Sequence, residues 1–316
     1  MRHKKWMVMT LLVVGLVFIL AMTAAAQQKK PMTLGTATIG GAYYPMGQAM
    51  ATVINKYVPS ISITPEVTNG AGENPRLVGE GNTDFGITNA NIAYFAFNGQ
   101  KPYKKKIDNL TAIGNLHPSV FQIVALKKTN INGIKDLKGK KIAVGPAGGG
   151  TIFILQSILA EYGMTMNDIK ANYLPYTDGF TQLGDGNLDA AVALGGYPMA
   201  AVTEISTTQE VKLLIVPETQ MQSIIKKYPY YTQIIVPKDV YKQETDIPCV
   251  GINNIFFTKK SMDAKLVYDV AEALYNHLDE LNAINATARQ IDRKSLSQVP
   301  IPLHPGAKNY FDKKSK

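Results

Sequence analysis

The sequence predicts an α/β protein made of two lobes, and three observations carry this prediction. Strand-like runs alternate with helical patterns from residue 33 onward, which is typical of α/β proteins. The alternation restarts after residue 118, as expected for a second lobe. A strand-like run at 250–258 and the long helical pattern behind it look like the first block again, so the chain is expected to cross between the lobes at least twice.

The first block opens with a strand predicted over 33–38 and a helix that begins near Pro45, since proline suits a first helical turn. One face of this helix is apolar at helical spacing and is expected to be buried. Its residues are Met46, Ala49, Met50, Val53, Ile54 and Tyr57. The remaining predicted elements are strands at 61–67, 85–88 and 112–116, a short helix after the turn NGAGEN and a helix over 90–97.

The second block begins after His117–Pro118 and repeats the alternation. Its predicted elements are the strands VFQIVAL and KKIAV, the loop GPAGGGT, the helix TIFILQSILAEYG, a strand at 188–194, a helix after Pro198 and a strand at 211–216. Gly163 is expected to stop the first of these helices, because glycine readily takes the left-handed conformation that ends helices. A strand over 250–258 and a helix over 261–279 follow.

The N-terminus has the pattern of a secretory signal peptide. Arg2, Lys4 and Lys5 precede an apolar run over 7–22, and small residues end at Ala26, after which we predict cleavage. No cysteine directly follows the apolar run, so lipid attachment is not expected. The alternative is an uncleaved membrane anchor, for which the run is short of the roughly 20 residues that a spanning helix needs. We therefore expect a mature protein that is exported to the periplasm.

Composition narrows the classes of partner. The chain has 33 Lys+Arg against 24 Asp+Glu, a mild net charge of +9. Its basic clusters at 101–106, 138–141 and 313–316 contain a single aromatic residue, Tyr103, and no base-reading motif, so we expect a solvated basic face and no nucleic-acid partner. Cys249, the single cysteine, cannot form an internal disulfide and is expected to be buried rather than catalytic.

Three glycine-rich loops, at 38–44, 68–74 and 145–151, each follow a predicted strand and open a helix. Such loops present backbone N–H groups at a helix N-terminus, where an anion is favoured, and they lie at the strand ends where α/β proteins bind ligands. The alternative is that the glycines only make tight turns. A nucleotide site is not expected, because Thr151 follows the G-x-x-x-x-G of the third loop directly and the phosphate-binding lysine is absent.

Tyr43, Tyr44 and Tyr197 are candidate walls for a small solute, because tyrosine combines a flat apolar ring with a hydroxyl group. Each could instead be a core tyrosine.

Residues for catalysis or metal binding are not apparent in the sequence. His117, His277 and His304 are scattered and lack metal-ligand spacing, and no G-x-S-x-G motif is present. Asp185 and Asp189 flank a turn, where carboxylates more often cap than act as an acid and base. We predict no catalytic residue, no metal site and no cofactor.

Six motifs, taken in order, resemble the TAXI-type substrate-binding subunits of tripartite ATP-independent periplasmic (TRAP) transporters. They are GTATIGGAYYPMG, TNGAGENPRL, GNTDFGITNANIAYFAFNG, AVGPAGGGT, GNLDAAVALGGYP and PLHPGAKNYF, and they span the mature chain. Two positions depart from the family's pattern. Ala37 stands where the first turn usually has a glycine, and Gly149 stands where the later loop usually has a serine, so one hydroxyl donor is lost.

The resemblance implies a type II periplasmic binding protein fold, with two α/β lobes and a ligand cleft between them. Lobe I would comprise 31–118 plus 251–316, and lobe II would comprise 119–250, after a signal peptide at 1–26. The ligand would be a small carboxylate such as glutamate or 2-oxoglutarate, and the partner would be a sodium-driven TRAP membrane permease.

The cleft would present the glycine loops and their neighbours to the ligand. The predicted ligand-binding residues are Thr38, Gly41, Tyr43, Tyr44, Asn69, Asn74, Asn89, Gly148, Gly149, Gly150, Thr151 and Tyr197. Arg76 is a further candidate carboxylate partner, with a surface role as an equal alternative. Two other functions stay open at this point, namely an exported sensor subunit with the same fold and an enzyme built on this fold.

Overall fold

The computed structural model describes residues 29–39, 41–228 and 230–314. The predicted signal peptide lies outside these residues. Strands and helices alternate along the described chain, which confirms the predicted α/β class. Within this part of the chain, no helix is both long enough and apolar enough to cross a membrane.

The described residues form ten strands and ten α-helices. The strands are β1 (Lys30–Gly35), β2 (Ile61–Glu66), β3 (Phe85–Asn89), β4 (Leu110–Leu126), β5 (Lys141–Ala143), β6 (Lys170–Asn172), β7 (Ala190–Gly195), β8 (Val211–Leu213), β9 (Tyr231–Val236) and β10 (Ile247–Lys259). The helices are α1 (Tyr43–Tyr57), α2 (Asn74–Glu80), α3 (Ala90–Asn98), α4 (Gly150–Ala160), α5 (Tyr176–Gly184), α6 (Ala200–Thr208), α7 (Glu218–Lys227), α8 (Ala264–Asn276), α9 (Leu278–Ile284) and α10 (Pro305–Lys314).

Two long antiparallel strands, β4 and β10, join the two halves of the sheet. The main path of the sheet runs β2-β1-β3-β10-β4-β7-β5-β6, while β8 pairs with β4 and β9 pairs with β10. The first part of β10 pairs with β9 and its second part pairs with β3. The later part of β4 pairs with β7 in the other half. Each crossing strand therefore belongs to both lobes.

Buried apolar side chains follow the same division. One core cluster draws on residues 32–116 and 255–310. The other two draw almost entirely on residues 120–252, and alternate residues of β4 and β7 point into one or the other, as the two faces of a sheet require. The exact lobe boundaries stay a prediction. Cys249 is buried in one of these clusters, as the sequence predicted.

The main difference from the predicted elements is β4, which is one strand of 17 residues where two strands were predicted on either side of His117–Pro118. Pro118 lies opposite Asn253, and the pairing of β4 with β10 shifts register directly after Asn253. Proline has no N–H to donate and is tolerated in a sheet beside such an irregularity.

Several element ends also differ from the prediction. Strand β1 spans Lys30–Gly35 rather than 33–38, and the Thr36 hydroxyl donates to the Glu66 carbonyl 2.6 Å away, just past the strand end. Helix α1 begins at Tyr43, so Pro45 is its third residue, where a missing N–H costs little. Helix α8 begins after Asp263, whose carboxylate accepts from the Leu266 N–H at 2.8 Å.

Candidate ligand-binding cavity

A cavity with about 430 Å³ of empty space, part of it open to solvent, lies between the two lobes. Its lining residues are Ala37, Thr38, Gly41, Ala42, Tyr43, Asn69, Gly70, Ala71, Asn89, Ser119, Pro146, Gly149, Gly150, Tyr176 and Leu194.

The carboxyl ends of parallel strands supply both walls of the cavity. Thr38 follows β1, and Asn69 follows β2, while Asn89 is the last residue of β3. Gly149 and Gly150 follow β5 in the opposite wall. Ligands of open α/β sheets bind at these ends, because loops from neighbouring strands meet there.

The two lobes touch across the cavity through glycine backbone. A Cβ atom added to Gly72 would lie 2.0 Å from the carbonyl oxygen of Gly148. A Cβ atom added to Gly150 would lie 2.2 Å from Oδ1 of Asn89. We call these two close approaches the glycine contact. Only glycine permits such distances, so the structure shows the lobes closed on each other.

The floor of the cavity is a buried group of polar side chains around Asn254, which has no exposed surface. Asn254 Oδ1 accepts from the Tyr43 hydroxyl at 2.7 Å, from Asn89 Nδ2 at 2.8 Å and from the Ser119 hydroxyl at 3.0 Å. Asn254 Nδ2 donates to the His117 carbonyl oxygen at 2.7 Å. We call Asn254, Tyr43, Asn89 and Ser119 the Asn254 cluster. It connects both crossing strands to the first turn of α1 and to the end of β3.

The imidazole of His117 lies beside the floor. The carbonyl group of His117 accepts a hydrogen bond from Asn254, but its ring makes none. It is fully buried, and neither ring nitrogen has a hydrogen-bond partner. Burial lowers the pKa of His117 from 6.5 to about 4, so the ring is neutral at neutral pH. Gly196 packs against it, since a Cβ there would lie 3.2 Å from His117 Cδ2.

Two tyrosine hydroxyls in the cavity stay protonated. Burial raises the pKa of Tyr43 well above its usual value and raises the pKa of Tyr176 to about 12. The Tyr176 ring reaches across the cavity to within 3.8 Å of where a Cβ on Gly41 would be. Tyrosines of both lobes therefore offer neutral hydroxyl groups to a solute.

Three helices begin at the cavity, namely α1, α3 and α4. Their N-cap residues are Ala42, Asn89 and Gly149, and none of the three makes a side-chain cap hydrogen bond. No acidic residue lies in the first turn of any of them. The described residues that line the cavity include no charged side chain. The electrostatics of the cavity are therefore set by helix N-termini, which favour negative charge.

Seven of the predicted ligand-binding residues line the cavity in the structure. They are Thr38, Gly41, Tyr43, Asn69, Asn89, Gly149 and Gly150. Whether they contact a ligand stays a prediction.

The other five predicted residues lie around the cavity rather than in its lining. Tyr44 lines an outer groove together with Ile39 and Gln48. Gly148 forms part of the glycine contact, and the Thr151 hydroxyl donates to the Val144 carbonyl at 2.8 Å.

Tyr197 and Asn74 have structural partners of their own. Tyr197 packs on a core cluster of lobe II, and its carbonyl accepts from Gln290 Nε2. Asn74 Nδ2 donates to three backbone carbonyls at 3.2, 2.7 and 2.7 Å. These contacts tie the ends of β1 and β3 to α2, which leaves Asn74 no spare amide hydrogen for a ligand.

Arg76 is exposed and lies 5.1 Å above the ring of Tyr103, on the surface rather than in the cavity. Arg76 therefore occupies the surface position that was one of its two predicted roles.

Sequence reasoning did not identify Ser119, Tyr176 or Asn254. Asn253–Asn254 is a polar pair inside the apolar run VGINNIFFT, which is a signal that could have been noticed. Tyr176 opens an amphipathic helix after Pro175 but carries no glycine loop to draw attention to it. For Ser119 no signal is present beyond its position next to Pro118.

A cavity between two α/β lobes that are joined by crossing strands defines the periplasmic binding protein class of fold. Residues 34–314 match the NMT1-like family, and the chain belongs to that family.

Solved structures with this fold resemble the chain at low sequence identity. The alkanesulfonate-binding protein SsuA from Xanthomonas axonopodis pv. citri, bound to MOPS, matches with a TM-score of 0.51 and 15% identity over 90% of this chain and 91% of its own. An ancestral arginine-binding protein bound to arginine matches with a TM-score of 0.51 and 15% identity over 82% and 98%. A protein provisionally assigned as an L-cystine ABC transporter from Listeria monocytogenes matches with a TM-score of 0.52 and 17% identity over 85% and 99%. These likenesses confirm the fold.

Proposed function

We propose that this protein is an exported solute-binding receptor that encloses a small carboxylate between its two lobes. The observation that carries the proposal is the meeting of three helix N-termini at one cavity whose described lining has no charged residue. None of the three is capped by the side chain of its N-cap residue, although the Ile92 N–H in α3 is bonded to Asn91 Oδ1 at 2.8 Å. Similar structures are named as binding proteins for an alkanesulfonate and for arginine, both of which carry an anionic group.

Helix N-termini suit a carboxylate because their first N–H groups have no partner within the helix. Each terminus stabilises a negative charge by about 0.3–1 kcal/mol, and by up to about 2 kcal/mol when partly buried. Neutral hydroxyls from Tyr43 and Tyr176 can complete the shell around the solute. Binding would favour the closed state, because a solute held in the cavity touches loops of both lobes at once.

We also propose that the receptor serves a sodium-driven TRAP permease and works in the periplasm. The six sequence motifs that resemble TAXI-type subunits support this partner. A second candidate is an ATP-driven transporter, because one similar structure is described as part of an ABC transporter. The two are distinguished by measuring solute uptake in cells or vesicles that contain the receptor and the permease encoded beside it. TRAP transport requires a sodium gradient, whereas an ABC transporter requires ATP.

The solute is tested by thermal shift on the mature protein after unfolding and refolding, which strips any carried ligand. The panel contains amino acids, C4 and C5 dicarboxylates including 2-oxoglutarate, 2-oxo acids, sulfonates and sugars. A ligand at about 100 times its dissociation constant adds about 2.7 kcal/mol, which raises the melting temperature by several degrees. Stabilisation by a carboxylate supports the proposal. Stabilisation by sugars or sulfonates alone would contradict the carboxylate assignment.

We propose further that the protein is not an enzyme. Its described histidines lie in separate environments: His117 is buried without a partner, His277 stacks on Tyr57, and His304 Nδ1 accepts from the Gly306 N–H at 3.1 Å. Incubation with the stabilising solute should return it unchanged by NMR. Turnover that is lost on replacing a cavity residue would overturn this assignment.

A further inference from the structure

Asn254 fixes the direction of the hydrogen bonds on the cavity floor. It lies on β10 where the pairing with β4 shifts register between Asn253 and Ile255. Its amide must turn Nδ2 toward the carbonyl oxygen of His117, 2.7 Å away, because a carbonyl can only accept. The amide nitrogen and oxygen of an asparagine have similar shapes, but here the backbone carbonyl of His117 decides which of the two faces it.

The opposite end of the amide then decides the role of Tyr43. Since Oδ1 of Asn254 is an acceptor, the Tyr43 hydroxyl 2.7 Å away donates its only hydrogen to it. The Asn89 side chain also hydrogen-bonds the Tyr43 hydroxyl group. What Tyr43 can offer a solute in the cavity is therefore the remaining lone pair on its oxygen. The residue thus acts as an acceptor, although tyrosine alone could be either donor or acceptor.

Asn89 is oriented in the same sense. One amide hydrogen goes to Asn254 Oδ1 at 2.8 Å, and its own Oδ1 faces Gly150 in the opposite wall. The acceptor oxygens of the floor therefore belong to Tyr43 and Asn89, which both line the cavity, while the helix N-termini around it present N–H groups.

We infer that Asn254 is a positioning residue for solute selectivity: through Tyr43 it makes the cavity select carboxylic acids that also carry a hydrogen-bond donor, a hydroxyl or an ammonium group. The inference rests on the proposed function, because it assumes that a carboxylate occupies the cavity. It goes beyond that function because it separates the candidate ligands by a second group: 2-hydroxy and 2-amino acids should bind better than 2-oxo acids and unsubstituted acids. Glutamate is thereby favoured over 2-oxoglutarate.

The test is calorimetric titration of the mature protein with matched acids. The probes are the 2-hydroxy, 2-amino, 2-oxo and unsubstituted acids of the C3 monocarboxylate and the C4 and C5 dicarboxylate series. Within the series that binds best, a donor-bearing acid should bind about tenfold or more tightly than the acids without a donor, because an acceptor left unpaired in a closed cavity is costly.

Two variants separate this role from simple support of the fold. Tyr43→Phe removes the accepting oxygen and should reduce the preference to about twofold or less. Asn254→Ala frees the Tyr43 hydrogen to point into the cavity, so the preference should fall or reverse, and Tyr43→Phe carries the test if the alanine variant does not fold. Tyr173→Phe, at a side chain that is 52% exposed, is the matched control and should leave the preference unchanged.

The outcomes are distinguishable. A donor preference that Tyr43→Phe abolishes supports the inference. Acids that bind equally with or without a donor, or a preference that survives in Tyr43→Phe, overturn the inference and leave the carboxylate receptor standing. Failure of every acid to bind a folded protein overturns both.

Discussion

On the floor of the cavity, buried polar side chains are joined by short hydrogen bonds, whereas at its rim glycine backbone from one lobe comes close to the other lobe. Asn254 lies on β10, and its side chain bonds to groups on β4, α1 and β3, so its contacts hold these elements together whether or not a solute is bound. Gly72 and Gly148 belong to opposite lobes and approach closely in the closed arrangement. Floor and rim should therefore respond differently to substitution, with the floor governing stability and the rim governing affinity.

The largest effect, on the free energy of unfolding, is expected from Asn254→Ala, which removes the hydrogen bonds at the centre of the floor. It leaves the Tyr43 hydroxyl, Asn89 Nδ2 and the His117 carbonyl without their shared partner in a buried site. Unpaired buried polar groups cost about 1–3 kcal/mol each before relaxation, so we expect the free energy of unfolding to fall by about 3–4 kcal/mol. Urea unfolding measures this, with Asn253→Ala at the neighbouring half-buried position as the control. An equal loss in both variants would contradict a special role for Asn254.

The second effect concerns His117, whose buried ring lies beside the floor and has no hydrogen-bond partner. Its pKa is about 4 in the folded protein against about 6.5 when unfolded, so between these values the unfolded chain binds more protons. Stability should be complete above pH 6.5 and should fall by roughly 3 kcal/mol as the pH drops to 4. His117→Leu removes the titrating ring, and its unfolding free energy should vary less over this range. The same acid loss in both proteins would show that other groups cause it.

The third effect comes from Gly72→Ala, which breaks the rim. The added methyl group would lie 2.0 Å from the Gly148 carbonyl oxygen, so the closed arrangement cannot form as it stands. We expect affinity for the stabilising acid to fall on the order of 100-fold, about 2.7 kcal/mol. Stability without ligand should change by no more than about 1 kcal/mol, because the three atoms nearest to the added methyl group all belong to Gly148 of the other lobe.

Gly133→Ala is the matched control for the rim, since no atom lies within 4 Å of the position that its Cβ would take. Calorimetric titration should give wild-type affinity for this variant. Unchanged affinity in Gly72→Ala would mean that the lobes bind the solute without the closure seen at the glycine contact.

The smallest effect is expected from Arg76→Ala. Arg76 is exposed and lies over Tyr103 rather than in the cavity. Affinity for the acid should stay within about twofold of wild type in the same titration. A loss of tenfold or more would place the guanidinium in the site after all and would contradict the view that backbone groups, rather than a cation, hold the carboxylate.

The sequence predicted the α/β alternation and the glycine loops because both are local patterns. It did not separate Tyr43 from Tyr44, since neighbouring helical residues point about 100° apart and only packing decides which one faces the cavity. Thr151 and Asn74 looked like free polar groups, but each bonds to a carbonyl at a strand end that the sequence cannot locate.

Asn254 and Ser119 were missed because their roles depend on long-range pairing. They meet only when β4 and β10 pair across more than 130 positions of sequence, with a register shift beside Asn254. The register of such pairs is set by tertiary packing and is not written in any short motif.

The most direct test of the account is a crystal structure of the mature protein with the acid that gives the largest thermal shift. We predict one carboxylate group within hydrogen-bonding distance of backbone N–H groups at the start of α1, α3 or α4, with the solute enclosed between the lobes and no side-chain cation against it. A solute bound in the outer groove beside Tyr44, or a carboxylate paired with a lysine or arginine, would contradict the account.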